Sequence, residues 1–141
     1  DLVAAAQAGA DVTLGSRYLN GISVVNWPLR RLFLSTFANW YVRTITGLAV
    51  RDCTSGFRCW TRATLRALHP EDIASDGYSF QVESLFKATR LGAGVREVPI
   101  VFVERRQGAS KMSKSVMFES MLMPWRLILR HRGRATRKAR S

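Results

Sequence analysis

Helical and strand-like patterns alternate along this chain, most of them cut short by a glycine or a proline, and that alternation constrains the fold more than any other feature. Residues 2–8, with Leu2, Val3 and Ala6 among further alanines, read as a short helix stopped at Gly9. D-V-T-L-G (11–15) follows as a buried strand running into the polar turn Ser16-Arg17-Tyr18. A helix feeding a short apolar strand points to an α/β fold with a mostly parallel sheet flanked by helices.

The alternation continues to the end of the chain. A helix is expected from an Asn26 cap, with Pro28 in its first turn, to Gly47. Leu29, Leu32, Phe33, Thr36, Phe37, Trp40 and Tyr41 recur there at helical spacing, while Arg30, Arg31, Ser35, Asn39 and Arg43 are polar. Such a wide aromatic arc serves either core packing or contact with lipid. G-F-R-C-W-T (56–61) reads as a strand, and residues 63–68 as a short helix ending before Pro70. Residues 78–91 form a helix with Val82, Leu85, Phe86 and Thr89 on one face, stopped at Gly92. Residues 95–103 are so apolar that a strand covered on both faces is expected, with Pro99 demanding a bulge or a sheet edge. A last amphipathic helix, 114–130, contains Pro124, which should kink or split it. Residues 132–141 are basic with no apolar side chain larger than Ala, the composition of a disordered tail.

With 141 residues and 47% hydrophobic content, the chain fills one core. Its 22 basic and 10 acidic residues give a net charge of +12, which calls for an anionic partner: nucleic acid, an acidic membrane surface or a phosphorylated ligand. No apolar run reaches the ~18–20 residues of a membrane-spanning helix. Residues 1–10 are acidic and then alanine-rich, unlike a signal peptide. The chain opens inside a helical pattern without an initiating Met, so it is expected to be the C-terminal part of a longer protein. Cys53 and Cys59 have no metal-ligand spacing and read as reduced buried thiols of a cytosolic protein. His69 and His131 lie far apart in sequence, and no metal cluster can be read.

Four polar blocks could carry chemistry. E-R-R-Q-G-A-S-K-M (104–112) gathers Arg106, Ser110 and Lys111 with a glycine where a strand should end. Arg forks match phosphate oxygens, Lys adds a point charge, and Gly admits close approach of the backbone. A solvated surface loop has the same composition. Arg17 should emerge at the sheet's C-terminal edge, and Arg31 and Ser35, four apart, share a helix face. Together they would clamp a phosphate, although each is also an ordinary surface residue type. Asp52, in R-D-C-T-S-G-F-R (51–58), either orients an arginine, sits near a metal or sugar, or bonds its own turn. In G-Y-S-F-Q-V-E (77–83), Asp76 or Ser79 could cap the helix and Glu83 could pair with Lys87.

In their order along the chain, G-S-R-Y (15–18), W-P-L-R-R-L-F-L-S-T-F-A-N (27–39), D-C-T-S-G-F-R (52–58), G-Y-S-F-Q-V-E (77–83) and E-R-R-Q-G-A-S-K-M (104–112) resemble the dolichol-phosphate/polyprenol-phosphate mannose synthases, inverting family-2 glycosyltransferases of GT-A fold. The resemblance covers about residues 1–130. It implies the C-terminal part of a GT-A (nucleotide-diphospho-sugar transferase) fold over 1–112, a membrane-leaning amphipathic helix over 113–131 and a basic disordered tail over 132–141. It also implies transfer of mannose from GDP-mannose to a polyprenyl phosphate, peripherally at the cytoplasmic membrane face, with Mg²⁺ or Mn²⁺ bridging the diphosphate. On matching positions, Arg17, Arg31 and Ser35 would cradle the lipid phosphate, and Arg106, Ser110 and Lys111 would close over the donor's phosphates. Arg17, Asp52, Arg106 and Lys111 would form the catalytic set, with Gln81 and Glu83 as sugar-side support.

The family's Asp-x-Asp metal motif does not occur in this chain and is expected upstream, so the segment alone should be inactive. A membrane-anchoring partner or fused domain is left open. Within the class, a UDP-glucose-type donor is the alternative. Outside it stand a non-catalytic membrane-surface module and a nucleic-acid-binding module, the latter without any helix-turn-helix, zinc-finger or RNP motif in support. Arg17→Ala or Arg31→Ala should then lower turnover and leave the fold intact.

Overall fold

A computed structural model describes residues 1–103 and 114–138. The elements are α1 (Leu2–Gln7), β1 (Val12–Ser16), β2 (Val24–Val25), α2 (Leu29–Thr46), β3 (Arg58–Trp60), α3 (Arg62–Leu68), a 3₁₀ turn (Pro70–Asp72), α4 (Gly77–Arg90), β4 (Val95–Pro99), β5 (Phe102–Val103) and α5 (Lys114–Lys138). The α/β alternation read from the sequence is therefore present.

β1 is the middle strand of three, and all five of its residues are buried. β4 runs parallel to it, Val12 opposite Val95 through Ser16 opposite Pro99, and β3 runs antiparallel, with Val12 opposite Trp60. β2 and β5 form a separate parallel pair. The three-stranded sheet is thus mixed, where a mostly parallel one was expected. An antiparallel edge strand needs no crossover helix, and the loop after α2 simply turns the chain back beside β1.

The apolar run 95–103 is not one strand. Pro99 offers no N–H to continue a ladder; it ends β4 on the sheet's edge, as its chemistry required. The chain then changes partner: Ile100 N donates to Ser16 O (3.0 Å) and Phe102 N to Ser23 O (2.9 Å). Val101 and Val103 are exposed, so the expected cover on both faces is not found among the described residues.

α2 starts after Pro28 in the N-cap position, not at Asn26, which sits in the left-handed region at φ 62°. Gly47, at φ 72°, closes the helix in the conformation that glycine adopts without a Cβ penalty. Its buried residues are Asn39 and Val42, whereas Leu29, Phe33, Phe37 and Trp40 face outward. The aromatic arc is therefore not a core face. Asp76 holds the N-cap position of α4 without a side-chain bond, and Glu83–Lys87 pairs as its spacing implied (3.0 Å).

α5 is one helix, not two. Pro124 removes one intrahelical bond, but it is fully buried, and its neighbours Met123 and Leu127 join Val12, Val42 and Leu85 in the core. Each such buried aliphatic side chain contributes roughly 1.5–3 kcal/mol, enough to hold the helix through the interruption. The backbone stays helical to Lys138, past the start of the tail expected to be disordered from 132. Arg, Ala and Lys extend a helix readily once packing has nucleated it.

Candidate functional site

Arg17 follows directly on β1. Gly15, two residues earlier, must lack a side chain: a Cβ there would lie 2.9 Å from both Ile100 and Phe57. That close approach seats the end of β1 beneath its neighbours and aims Arg17 at the segment after α2.

There Asp52, wholly buried, takes the guanidinium in a two-pronged ion pair, Nε to Oδ2 and Nη2 to Oδ1, both 2.7 Å. The Arg17 backbone N–H donates to the same Oδ2 (3.0 Å). Thr54 Oγ1 accepts from Nη2 (2.9 Å) and from Asn39 Nδ2 (3.2 Å). Asp52 is itself placed by Glu97, whose carboxylate accepts from the backbone N–H groups of Arg51 (2.8 Å) and Asp52 (3.0 Å). Burial opposes the charge on Arg17, but the hydrogen bonds and charge of Asp52 outweigh it and raise its pKa further. Arg17 is a permanent cation locked in one orientation.

Arg31 and Ser35 reach the same place from α2. The guanidinium carbon of Arg31 lies 4.3 Å from the Trp27 ring centroid, and that of Arg17 lies 5.3 Å from it. One indole therefore faces two cations, and its quadrupole offsets part of their repulsion. Tyr18 donates its hydroxyl to Ser35 Oγ (2.7 Å), which leaves the serine proton free to point elsewhere. The Trp27 Nε1–H is buried without a hydrogen-bond partner among the described residues.

These groups line a cavity of about 270 Å³. Arg17, Arg31, Ser35, Thr54 and Ser79 supply its polar wall; Leu34, Ala38, Val42, Val82, Met121 and Met123 supply an apolar one. Arg31 and Val42 are three turns apart on α2, so the cavity extends ~16 Å along the helix at 1.5 Å per residue. The Tyr41 hydroxyl ties α5 across it, donating to Met121 O (2.8 Å) and accepting from Trp125 Nε1 (3.0 Å). A ligand with an anionic head and a long apolar tail matches this lining.

Among the expected site residues, Arg17, Arg31 and Ser35 converge on this cavity and Asp52 holds the first of them. Gln81 and Glu83 do not line it. Gln81 O accepts from Arg58 Nη1 (2.6 Å), and the buried Glu83 carboxylate accepts from Ser75 Oγ (2.5 Å) and pairs with Lys87. Arg106, Ser110 and Lys111 lie outside the described residues. Four further contributors, Tyr18, Trp27, Asn39 and Thr54, lie in the blocks that carry the resemblance but were not singled out as site residues. Arg58 is a fifth, donating to Ser55 O, Cys53 O and Gln81 O and so pinning the Asp52 turn to α4. Burial among these neutral acceptors lowers its pKa to about 10. Cys53 and Cys59 are both free thiols; Cys53 is buried, which pushes its pKa up to about 12, and Cys59 is half-buried.

Among the described residues no group of three or more His, Cys, Asp or Glu is placed to hold a metal ion. No described helix is long and apolar enough to cross a membrane.

No protein-family model matches the chain. It is 45% identical over 120 residues to the polyprenol monophosphomannose synthase of Mycolicibacterium smegmatis, a match covering 85% of this chain and 45% of that protein. It is 42% identical over 126 residues to the undecaprenyl-phosphate mannosyltransferase of Micrococcus luteus, covering 88% and 52% respectively. The chain spans about half the length of the curated relatives it matches.

Proposed function

We propose that the chain is part of a polyprenol-phosphate mannose synthase, the kind of protein to which it is similar, and that it forms the acceptor side of a mannosyltransferase, with the Arg17/Arg31 cavity seating the phosphate and first isoprene units of a polyprenyl phosphate. The observation that carries this reading is the junction of two fixed guanidiniums and a serine hydroxyl with an apolar channel, contributed by the turn after β1 and by α2, α4 and α5. GDP-mannose is the donor in this proposal, and the reaction takes place at the cytoplasmic membrane face.

The acceptor needs no general base. A phosphate monoester with a second pKa of ~6 is mostly dianionic near neutral pH. One of its oxygens attacks the anomeric carbon from the face opposite the diphosphate; the new C–O bond forms as the bond to GDP breaks, and GDP leaves with the electron pair. The obstacle is repulsion between two anions. Arg17 and Arg31 offset it, and their fixed geometry holds the oxygen in line. Arg106, Ser110 and Lys111 are assigned to the donor's phosphates by the family pattern alone. The divalent cation that the family implies finds no ligand set among the described residues.

The test is mannosyl transfer in the protein as its host makes it, with GDP-mannose and UDP-glucose offered side by side. Arg31→Ala removes a charge-assisted bond of roughly 1.5–3 kcal/mol, so acceptor kcat/KM should fall roughly 10–150-fold. Near-normal activity of Arg31→Ala would overturn the cradle; preference for UDP-glucose would overturn the donor.

A further inference from the structure

A second cationic groove lies on the other flank of α2. It has a volume of about 460 Å³ and is lined by Tyr18, Thr36, Asn39, Trp40, Arg43 and Arg51. At ~100° per residue, Leu29, Phe33, Phe37 and Trp40 form one outward stripe on α2. Leu34, Ala38 and Tyr41, which line the Arg17/Arg31 cavity, fall to one side of that stripe, and Thr36, Asn39 and Arg43, which line the groove, to the other. The stripe is apolar and open to solvent, with Phe33 73% and Trp40 60% exposed. The two arginine-bearing hollows therefore straddle it.

Neither groove arginine is neutralised. The Arg43 side chain has no hydrogen bond or ion pair among the described residues. Arg51 uses Nη1 on Leu19 O (2.7 Å), which orients its guanidinium and leaves other donors open. The neighbouring Glu97 carboxylate is engaged by the backbone N–H groups of residues 51 and 52. α2 and the segment that joins it to Arg51 contain no acidic residue. Trp40 stands on the rim, a side chain suited to the level where acyl chains give way to headgroups.

We propose that this groove binds the anionic headgroup of a bilayer phospholipid. When the stripe sinks into the leaflet, a groove on its flank rests at phosphate level, and two forked cations beside an indole match a lipid phosphodiester. The occupant is a lipid of the surrounding membrane, distinct from the substrate in the Arg17/Arg31 cavity. A nucleic acid would ask for a continuous cationic track, and this one is bounded by exposed aromatic side chains. The proposal rests on the reading of α2 as membrane-facing.

Vesicle sedimentation of the protein as its host makes it tests both points separately. Wild type is compared with Arg43→Gln/Arg51→Gln and with Arg62→Gln/Arg66→Gln, which removes equal charge from α3. Vesicles are neutral phosphatidylcholine, with or without phosphatidylglycerol, and free glycerol phosphate serves as the soluble competitor. Binding to phosphatidylglycerol vesicles should fall about 30-fold in the groove variant, about fivefold per arginine at the ~1 kcal/mol a cation contributes near an anionic leaflet. Binding to neutral vesicles should not change, and the α3 variant should lose little. Equal losses in the two double variants would overturn the groove in favour of diffuse charge. Full displacement by glycerol phosphate at millimolar concentration would overturn the lipid as occupant. Wild type that binds neither vesicle would overturn the membrane-facing reading and this proposal with it.

Discussion

Asp52 has no exposed surface, yet four donors converge on it: three from Arg17 and the Thr54 hydroxyl. A pair this deeply placed is costly to break from either side, because the survivor stays buried and unmatched. Asp52→Ala should lower stability by ~3–5 kcal/mol in urea denaturation, with Asp52→Asn losing less because it keeps an acceptor for the fork. An unchanged midpoint for Asp52→Ala would show that the pair does not hold the turn. The same logic corrects the expectation that Arg17→Ala spares the fold, since that change strands Asp52. That Arg17, Arg31 and Ser35 share one cavity was legible through the blocks that carry the family resemblance, since by residue type alone each reads equally as a surface residue. Asn39 was not: it reads as one more polar position on α2. Its burial comes from Cys53 and Thr54, which donate to its Oδ1 from 14 and 15 residues away.

The elements differ in how openly their sequences declare them. α1, α3 and α4 followed from glycine stops, spacing and caps, because those signals act within a turn or two. The strand pairings did not, since the register of β1 with β4 joins residues more than 80 apart, and no local pattern encodes that choice. α4 also carries a titratable brace. Burial pushes the Glu83 carboxyl up, but bonds from Ser75 and Lys87 and the charges of Lys87 and Arg130 outweigh it and leave its pKa below the ordinary value. A depressed carboxyl stabilises the fold fully above its unfolded pKa of ~4.3, and the contribution fades as pH falls through the native value. The melting temperature of wild type should therefore drop towards that of Glu83→Gln below about pH 4 and exceed it near pH 7. Parallel curves across that range would remove Glu83 from the brace.

Over the whole molecule, apolar surface is unevenly distributed. α2 shows Leu29, Phe33, Phe37 and Trp40 to solvent, and α5, packed beside it, shows Phe118, Met121, Leu122, Trp125 and Leu129. Two adjoining apolar stripes on a chain of net charge +12 fit the membrane-facing surface proposed above. Phe33→Ser/Phe37→Ser should weaken vesicle binding at least tenfold, from roughly 1.5–3 kcal/mol per buried aromatic, and leave the thermal melt unchanged; undiminished sedimentation would assign the stripes another role. The sequence left core and membrane open for this arc because periodicity reports a face without saying what covers it. Timing during synthesis is also written into the fold. Glu97 grips the Asp52 turn from 45 residues downstream. At ~5–20 residues per second, the ribosome delivers that carboxylate roughly 2–9 s after the turn itself has emerged. Until then the nascent chain holds its cationic pocket half-assembled, and the last strand of the sheet is what sets it.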